Sequence, residues 1–328
     1  MAHLSAVVPI YREEETLDEL CKRLKGALGS ITDDFEIVLV EDGGGDRSWE
    51  IIRAEFAKDR RVKGIKFSRN FGQHYAISAG LNEADGDWVV VMDGDLQDRP
   101  EVIPELYAKA QEGFDVVFVA RQQRPEGLGY RILQRCFYAI FQYLAKTEYD
   151  PEHGNFSMLC RDVVNRYRDF NENLRFYGGL VKWLGFRHTT IKAQHGTRFA
   201  GDTKYSFHSR LVLAFHMILA HSDRPLRIAI GLGLTMSTLS FLYGIWIIWR
   251  AIFGDVSVEG WASLIASVYF IGGVILSVLG IMGLYIGKIF DQTKSRPLYI
   301  VQERVGFSEK SEKKPTLAPR LTDTASVH

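Results

Sequence analysis

The sequence is poor in cysteine: Cys21, Cys136 and Cys160 are the three in 328 residues. They are scattered, odd in number and without metal-type spacing. That argues against a disulfide framework or a cysteine-held metal and for a reduced, cytosol-facing domain. Charge excess is also missing, since 40 Lys and Arg balance 40 Asp and Glu. A nucleic-acid binder would need a basic face, so no nucleic-acid partner is expected. Met1–Ile10 has no basic start followed by a long apolar run, so no signal peptide is expected. Long apolar runs are absent before about Pro225.

What is present falls into regions. Up to about residue 125, short apolar runs alternate with helical patterns. Strands are expected at Leu4–Ile10, Phe35–Val40, Val62–Phe67, Trp88–Met92 and Asp115–Ala120. Helices are expected at Glu13–Leu28, where Leu17, Leu20, Leu24 and Leu28 recur at helical spacing, at Ser48–Ala57 and near His74–Ala84. Strands separated by helices predict a mainly parallel, doubly wound α/β sheet, whose ligands bind beyond the strands' C-terminal ends. Two of those ends are acidic: Glu41-Asp42-Gly43-Gly44-Gly45-Asp46 and Asp93-Gly94-Asp95-Leu96-Gln97-Asp98.

Residues 126–225 form a second region with two amphipathic patterns, Leu128–Leu144 and Arg210–His221. Such helices either lie in a membrane interface or pack on a core. Residues 226–290 hold two stretches without a charged residue, Ile228–Trp249 and Leu264–Ile286. At ~1.5 Å per residue each is long enough for a bilayer core of ~30 Å. Arg224 and Arg227 precede the first, Lys288, Lys294 and Arg296 follow the second, and Asp255 and Glu259 lie between them. The positive-inside rule then puts both chain ends in the cytoplasm. Trp246, Trp249 and Trp261 fit an interfacial belt, and Gly283 and Gly287 have a helix-packing spacing open to self-association. A pair of buried core helices is the alternative. Residues 291–328 make a cytoplasmic tail, expected to be disordered from about 308.

Asp93 and Asp95, one residue apart after a buried strand, can hold a divalent cation that takes its other ligands from water and substrate phosphates. Asp42, at the neighbouring strand end, can accept hydrogen bonds from a nucleobase or ribose. Either acidic turn could instead be a solvated loop.

Val7-Val8-Pro9-Ile10-Tyr11-Arg12-Glu13-Glu14, Val38-Leu39-Val40-Glu41-Asp42-Gly43, Arg69-Asn70-Phe71-Gly72-Gln73-His74 and Met92-Asp93-Gly94-Asp95-Leu96-Gln97-Asp98 occur in that order. Gly154-Asn155-Phe156, Arg198, Lys204-Tyr205-Ser206 and Arg296-Pro297-Leu298-Tyr299-Ile300-Val301 follow. Together they resemble the family 2 glycosyltransferases of the dolichol-phosphate mannose synthase type, nearest to the bacterial polyprenyl-phosphate (undecaprenyl-phosphate) enzymes. The likeness runs over roughly residues 4–306. It implies a GT-A fold and inverting transfer of a sugar from a nucleotide-diphosphate sugar to the phosphate of a polyprenyl phosphate, with Mg²⁺ or Mn²⁺. The setting it implies is the cytoplasmic face of a bacterial inner membrane, with two spans and membrane lipids as partners. By position, Pro9, Tyr11, Glu13, Asp42 and Asp93 would bind the donor. Asp93, Asp95 and Gln97 would surround the metal. Arg121, Arg124, Arg131, Arg135, Arg198 and Lys204 are candidates for gripping phosphates, a task that suits the planar arginine fork. No motif names the sugar; family habit puts a UDP-hexose, UDP-glucose first.

Three departures stand out. The family usually has Asn at Arg12 and Asp-Asp-Gly-Ser at Glu41–Gly44. Many members carry an Asp, proposed as base, where this chain has Asn155, and an amide takes no proton at neutral pH. An acceptor phosphate monoester has a second pKa of about 6 and is already nucleophilic, so Asn155 would orient the substrate in catalysis beside Asp95 and Gln97. The alternatives are a catalytically silent nucleotide-sugar-binding scaffold and a glycosyltransferase with a non-phosphate acceptor.

Overall fold

The structure is a computed structural model that describes residues 3–121, 153–170, 172–173, 175–193, 222, 224–253, 260–294 and 296–307. The two expected amphipathic helices, the turn between the apolar stretches and the tail from 308 lie outside the described residues. The chain divides into two compact units, residues 1–107 with 299–328 and residues 108–298.

In the first unit, β1 (Leu4–Ile10), β2 (Phe35–Glu41), β3 (Val62–Phe67) and β4 (Trp88–Val91) alternate with α1 (Leu17–Gly29), α2 (Ser48–Lys58) and α3 (Gln73–Glu83). The strand order is β4-β1-β2-β3-β8, where β8 is Val301–Val305. All pairs are parallel except β3 with β8. Every residue of β1 and β2 is buried, which is why both read as mostly apolar runs, interrupted by Ser5, Glu36 and Glu41, rather than alternating ones. Helix α3 lies close on the sheet: a Cβ on Gly80 would overlap the Val7 side chain.

The order reverses at β1, which has β2 on one side and β4 on the other. In such sheets a crevice opens at that point, beyond the carboxyl ends of the strands. The β1–β4 ladder stops at Val7 opposite Val91, with Met92 N–H donating to Val7 O at 3.2 Å. Ile10 O faces the other neighbour and accepts Asp42 N–H at 2.9 Å. Backbone groups alternate along a strand, so Pro9, like Val7, faces the β4 side. Its missing N–H therefore falls where no ladder bond is made, and a proline is tolerated in a central strand.

In the second unit, β5 (Val116–Arg121) pairs parallel with β7 (His188–Ala193) and antiparallel with β6 (His153–Cys160). Helix α4 (Ile103–Ala110) crosses the boundary between the units. Helix α5 (Arg161–Arg168) buries Val163, Val164 and Tyr167; α6 (Tyr177–Trp183) buries Tyr177, Leu180 and Val181. Helices α7 (Arg224–Phe253) and α8 (Trp261–Thr293) lie against each other. They have 30 and 33 residues, longer than the apolar stretches, because the flanking Arg224, Arg227 and Lys288 continue the helices. Segments Arg224–Tyr243 and Phe270–Thr293 are long and apolar enough to cross a membrane, and their large side chains are largely exposed. Asn173 ties its loop to the end of α8, donating Nδ2–H to Asp291 O at 2.9 Å and N–H to Gln292 Oε1 at 3.1 Å.

Candidate active site

The Asp93–Asp98 turn leaves β4 beside the end of β1. Gly94 packs closely there: a Cβ would meet Ile10 Cδ1 at 2.8 Å and Pro9 O at 3.3 Å. Leu96 adopts φ +61°, a left-handed conformation that costs a non-glycine residue ~1–2 kcal/mol. Burial of its side chain holds it there. Asp95 Oδ1 accepts Gln97 N–H at 3.0 Å, and the buried Asp98 accepts Asp93 N–H on Oδ2 at 3.2 Å. Thr16 Oγ1–H reaches Gly94 O at 3.3 Å. The backbone of the turn is thus fixed from within and from α1. The carboxylates of Asp93 and Asp95 sit at intermediate exposure on it.

The segment after β1 forms another wall. Tyr11 is 44% exposed at the strand end. Arg12 has φ +59°, places its guanidinium 5.3 Å from the Tyr11 ring centroid and donates Nε–H to Gly44 O at 3.1 Å. Asparagine tolerates this left-handed region better than arginine does, a physical reason for asparagine at the position. Glu13 caps the turn into α1: its carbonyl accepts Thr16 N–H at 3.0 Å and its Oε2 accepts Thr16 Oγ1–H at 3.0 Å. Glu13 N–H in turn reaches Ser48 Oγ at 3.3 Å.

The end of β2 supplies two buried carboxylates. Asp42 Oδ1 accepts Phe71 N–H at 2.7 Å and Oδ2 accepts Gly72 N–H at 2.8 Å. Burial pushes its pKa up, and these two N–H groups pull against that. Glu41 is 2% exposed. Its Oε1 accepts Gly44 N–H at 2.5 Å, while Oε2 is buried without a partner among the described residues. Burial raises the Glu41 pKa despite the Gly44 bond. Sequence reasoning assigned Glu41 no task; the only signal was its departure from the usual aspartate.

The structure gathers Pro9, Tyr11, Glu13, Asp42, Asp93, Asp95 and Gln97 at the carboxyl ends of β1, β2 and β4. Asn155 lies on β6 in the other unit, half-buried. Its carbonyl accepts Ser157 Oγ–H at 3.0 Å, and Ser157 Oγ is 2.7 Å from the buried Tyr177 hydroxyl. Arg121 ends β5. Arg124, Arg131, Arg135, Arg198 and Lys204 lie outside the described residues. Among the described residues no group of three or more His, Cys, Asp or Glu is assembled for a metal. Two carboxylates on a rigid turn do fit Mg²⁺ or Mn²⁺, which complete their shells with water and phosphate oxygens.

Residues 5–168 match the family model described as Glycosyl transferase family 2. The chain is 38% identical over 307 residues, 93% of its length and 95% of the relative's, to "Uncharacterized glycosyltransferase YkcC" of Bacillus subtilis (strain 168). It is 35% identical over 300 residues, 91% of its length and 98% of the relative's, to "Prophage bactoprenol glucosyl transferase homolog" of Escherichia coli (strain K12). Among solved structures it is similar to the mannosyltransferase PcManGT from Pyrobaculum calidifontis in complex with GDP-Man and Mn²⁺. The identity there is 14%, the coverage 90% of this chain and 88% of the other, and the TM-score 0.46.

Proposed function

From the premise that this chain belongs to glycosyl transferase family 2, we propose that it transfers a sugar, with inversion, from a nucleotide-diphosphate sugar to the phosphate of a polyprenyl phosphate. The observation that carries the acceptor is the similarity to the bactoprenol glucosyl transferase homolog, which extends over 91% of the chain and therefore past the domain of the family model. UDP-glucose is the first donor to test.

In this reading residues 1–125 are the nucleotide-sugar core, and the exposed Tyr11 ring offers a face to the base. The buried Glu41 Oε2 offers an acceptor to a base N–H or ribose hydroxyl, a task shared with Asp42. Pro9 and Glu13 shape the floor of the pocket. Asp93 and Asp95, with Gln97, hold the cation, which when bound neutralises charge developing on the departing diphosphate. Arg121, Arg124, Arg131, Arg135, Arg198 and Lys204 grip phosphates. Asn155 orients the acceptor phosphate by hydrogen bonding. No general base is needed, because a phosphate monoester with second pKa of about 6 is mostly dianionic at neutral pH.

Helices α7 and α8 are the membrane anchor of residues 226–290 in this reading. Residues 126–225 meet the interface and lipid carrier, and both termini face the cytoplasm. A Cβ on Gly280, Gly283 or Gly287 meets nothing within 4 Å, which leaves that face of α8 available to a second copy. The test is transfer by purified protein in detergent, with undecaprenyl phosphate and a panel of UDP- and GDP-sugars, with Mg²⁺ or a chelator. Glycolipid from one donor, lost with chelator and in Asp95→Asn, is the expected result. Nucleotide binding without product from any donor would favour the silent scaffold.

A further inference from the structure

Gln73 belongs to the Arg69–His74 motif but has no task in the function derived so far. Its side chain makes one of the shortest bonds at the site: Nε2–H donates to Asp93 Oδ1 at 2.6 Å. The backbone that delivers it is fixed from several directions. Asp42 clamps Phe71 N–H and Gly72 N–H, one on each carboxylate oxygen. Gly43, at φ +61°, lies so close to Arg69 C and Asn70 N that a Cβ would overlap them. The Phe71 ring meets Phe67 edge-on at 5.6 Å, under the Arg69 guanidinium at 4.0 Å. Phe67 stacks in turn on Tyr299 at 4.9 Å, and the Tyr299 hydroxyl accepts Asn82 Nδ2–H at 2.9 Å. Gly72, at φ +112°, turns the chain into α3, whose first residue is Gln73.

We propose that Gln73 is a positioning residue for Asp93, setting the carboxylate's orientation for a divalent cation. The proposal rests on the reading of Asp93 and Asp95 as cation ligands. A fixed N–H on one carboxylate oxygen restricts rotation of the group and aims the other oxygen. A neutral amide does this without adding a positive charge that would compete with the cation, as lysine or arginine would. Partners that orient metal ligands in this way typically change metal affinity or activity ~10–100-fold when removed.

Gln73 is exposed, so Gln73→Met removes the N–H donor with little change in volume or packing. The readout is Mn²⁺ binding to the full-length protein in detergent, by water-proton relaxation, in the presence of UDP and separately of GDP. Thermal unfolding is followed in parallel, and Asp95→Asn serves as the reference. The expected result is Mn²⁺ binding weakened at least about tenfold in Gln73→Met with an unchanged unfolding temperature, and abolished in Asp95→Asn. Affinity within twofold of wild type in Gln73→Met, while Asp95→Asn loses binding, would overturn the role of Gln73 and leave the cation site standing. Unchanged binding in Asp95→Asn would overturn the cation reading and the proposal with it. Weakened binding accompanied by a large fall in unfolding temperature would make Gln73 a structural residue only.

Discussion

Gly94 separates the two aspartates of the turn, and its lack of a side chain matters as much as their charges. A single methyl there meets Ile10 Cδ1 and Pro9 O. Overpacking of this kind costs about 1–3 kcal/mol. The turn, being at the edge, will move rather than β1. A displacement of ~1 Å at a reacting centre can cost ~100-fold in rate. Gly94→Ala is therefore expected to lower kcat by about two orders of magnitude while the unfolding temperature falls only modestly. Steady-state kinetics beside a thermal melt checks it; wild-type kcat would mean that the turn tolerates displacement. Asp42 and Glu41 stand side by side in one acidic run, and nothing in their order says which one the fold itself occupies. Only the approach of Phe71 and Gly72, 29 and 30 positions along the chain, reveals that Asp42 is bonded on both oxygens, while one oxygen of Glu41 has no partner among the described residues.

Strand β2 carries a buried glutamate at each end, and the two behave oppositely. At the amino end, Glu36 accepts Ser5 Oγ–H and Asp85 N–H, both at 2.6 Å, and Lys63 Nζ–H at 2.6 Å. Burial pushes its pKa up, but those three donors outweigh it and the net shift is downward. At the carboxyl end, Glu41 is shifted upward. The amino end is thus fully paired, and the carboxyl end leaves Glu41 Oε2 buried without a partner among the described residues. A carboxylate with a lowered folded pKa stabilises the protein above its unfolded value, roughly pH 4.3, and loses that contribution as pH falls through the folded value. Glu36→Gln is expected to cost about 1–3 kcal/mol at pH 7. The deficit should shrink below about pH 4, as wild type itself becomes protonated. Denaturant melts of both proteins from pH 3 to 7 test this; a pH-independent deficit would contradict it. At this scale β1 to β5 were legible because each is a short, mostly apolar segment bounded by polar turns, although β3 alternates with Lys63 and Lys66. Their ends shifted by a residue: β4 stops at Val91, β2 continues to Glu41 and β5 covers Val116–Arg121. Helix α1 begins at Leu17 rather than Glu13, because Glu13–Thr16 form a turn bonded to Ser48 and Gly94. Strands β6, β7 and β8 mix polar and apolar residues without strict alternation, and the sequence offered no period to mark them.

For the whole molecule the decisive contrast is between a unit with a buried sheet and two helices that expose their apolar side chains. Leu276, in the middle of α8, is 72% exposed. On a water-soluble surface, replacing such a leucine by lysine is harmless. At the centre of a membrane-spanning helix it costs about 2.5–3.5 kcal/mol in insertion. Leu276→Lys is expected to shift the protein from the carbonate-resistant membrane fraction toward the soluble or degraded pool. Unchanged fractionation would argue that α8 does not span. Both apolar stretches were legible from composition alone. The lengths of the helices were not, because charged flanks continue a helix as readily as apolar residues do.

Strand β8 has a bearing on how the protein is made. It follows α7 and α8 in the sequence, yet pairs antiparallel with β3. Glu303 accepts Trp49 Nε1–H at 3.0 Å, and Arg304 pairs with Glu83 at 3.4 Å. As the chain leaves the ribosome, strands β1 to β4 emerge first but lack the strand that closes their sheet. The β3 edge, with Phe67 uncovered, must wait while both apolar helices are synthesised. An open strand edge is a template for association with other chains. Synthesis of this protein therefore contains a period of vulnerability that ends only when Tyr299 and β8 arrive, so completion of this sheet follows synthesis of α7 and α8.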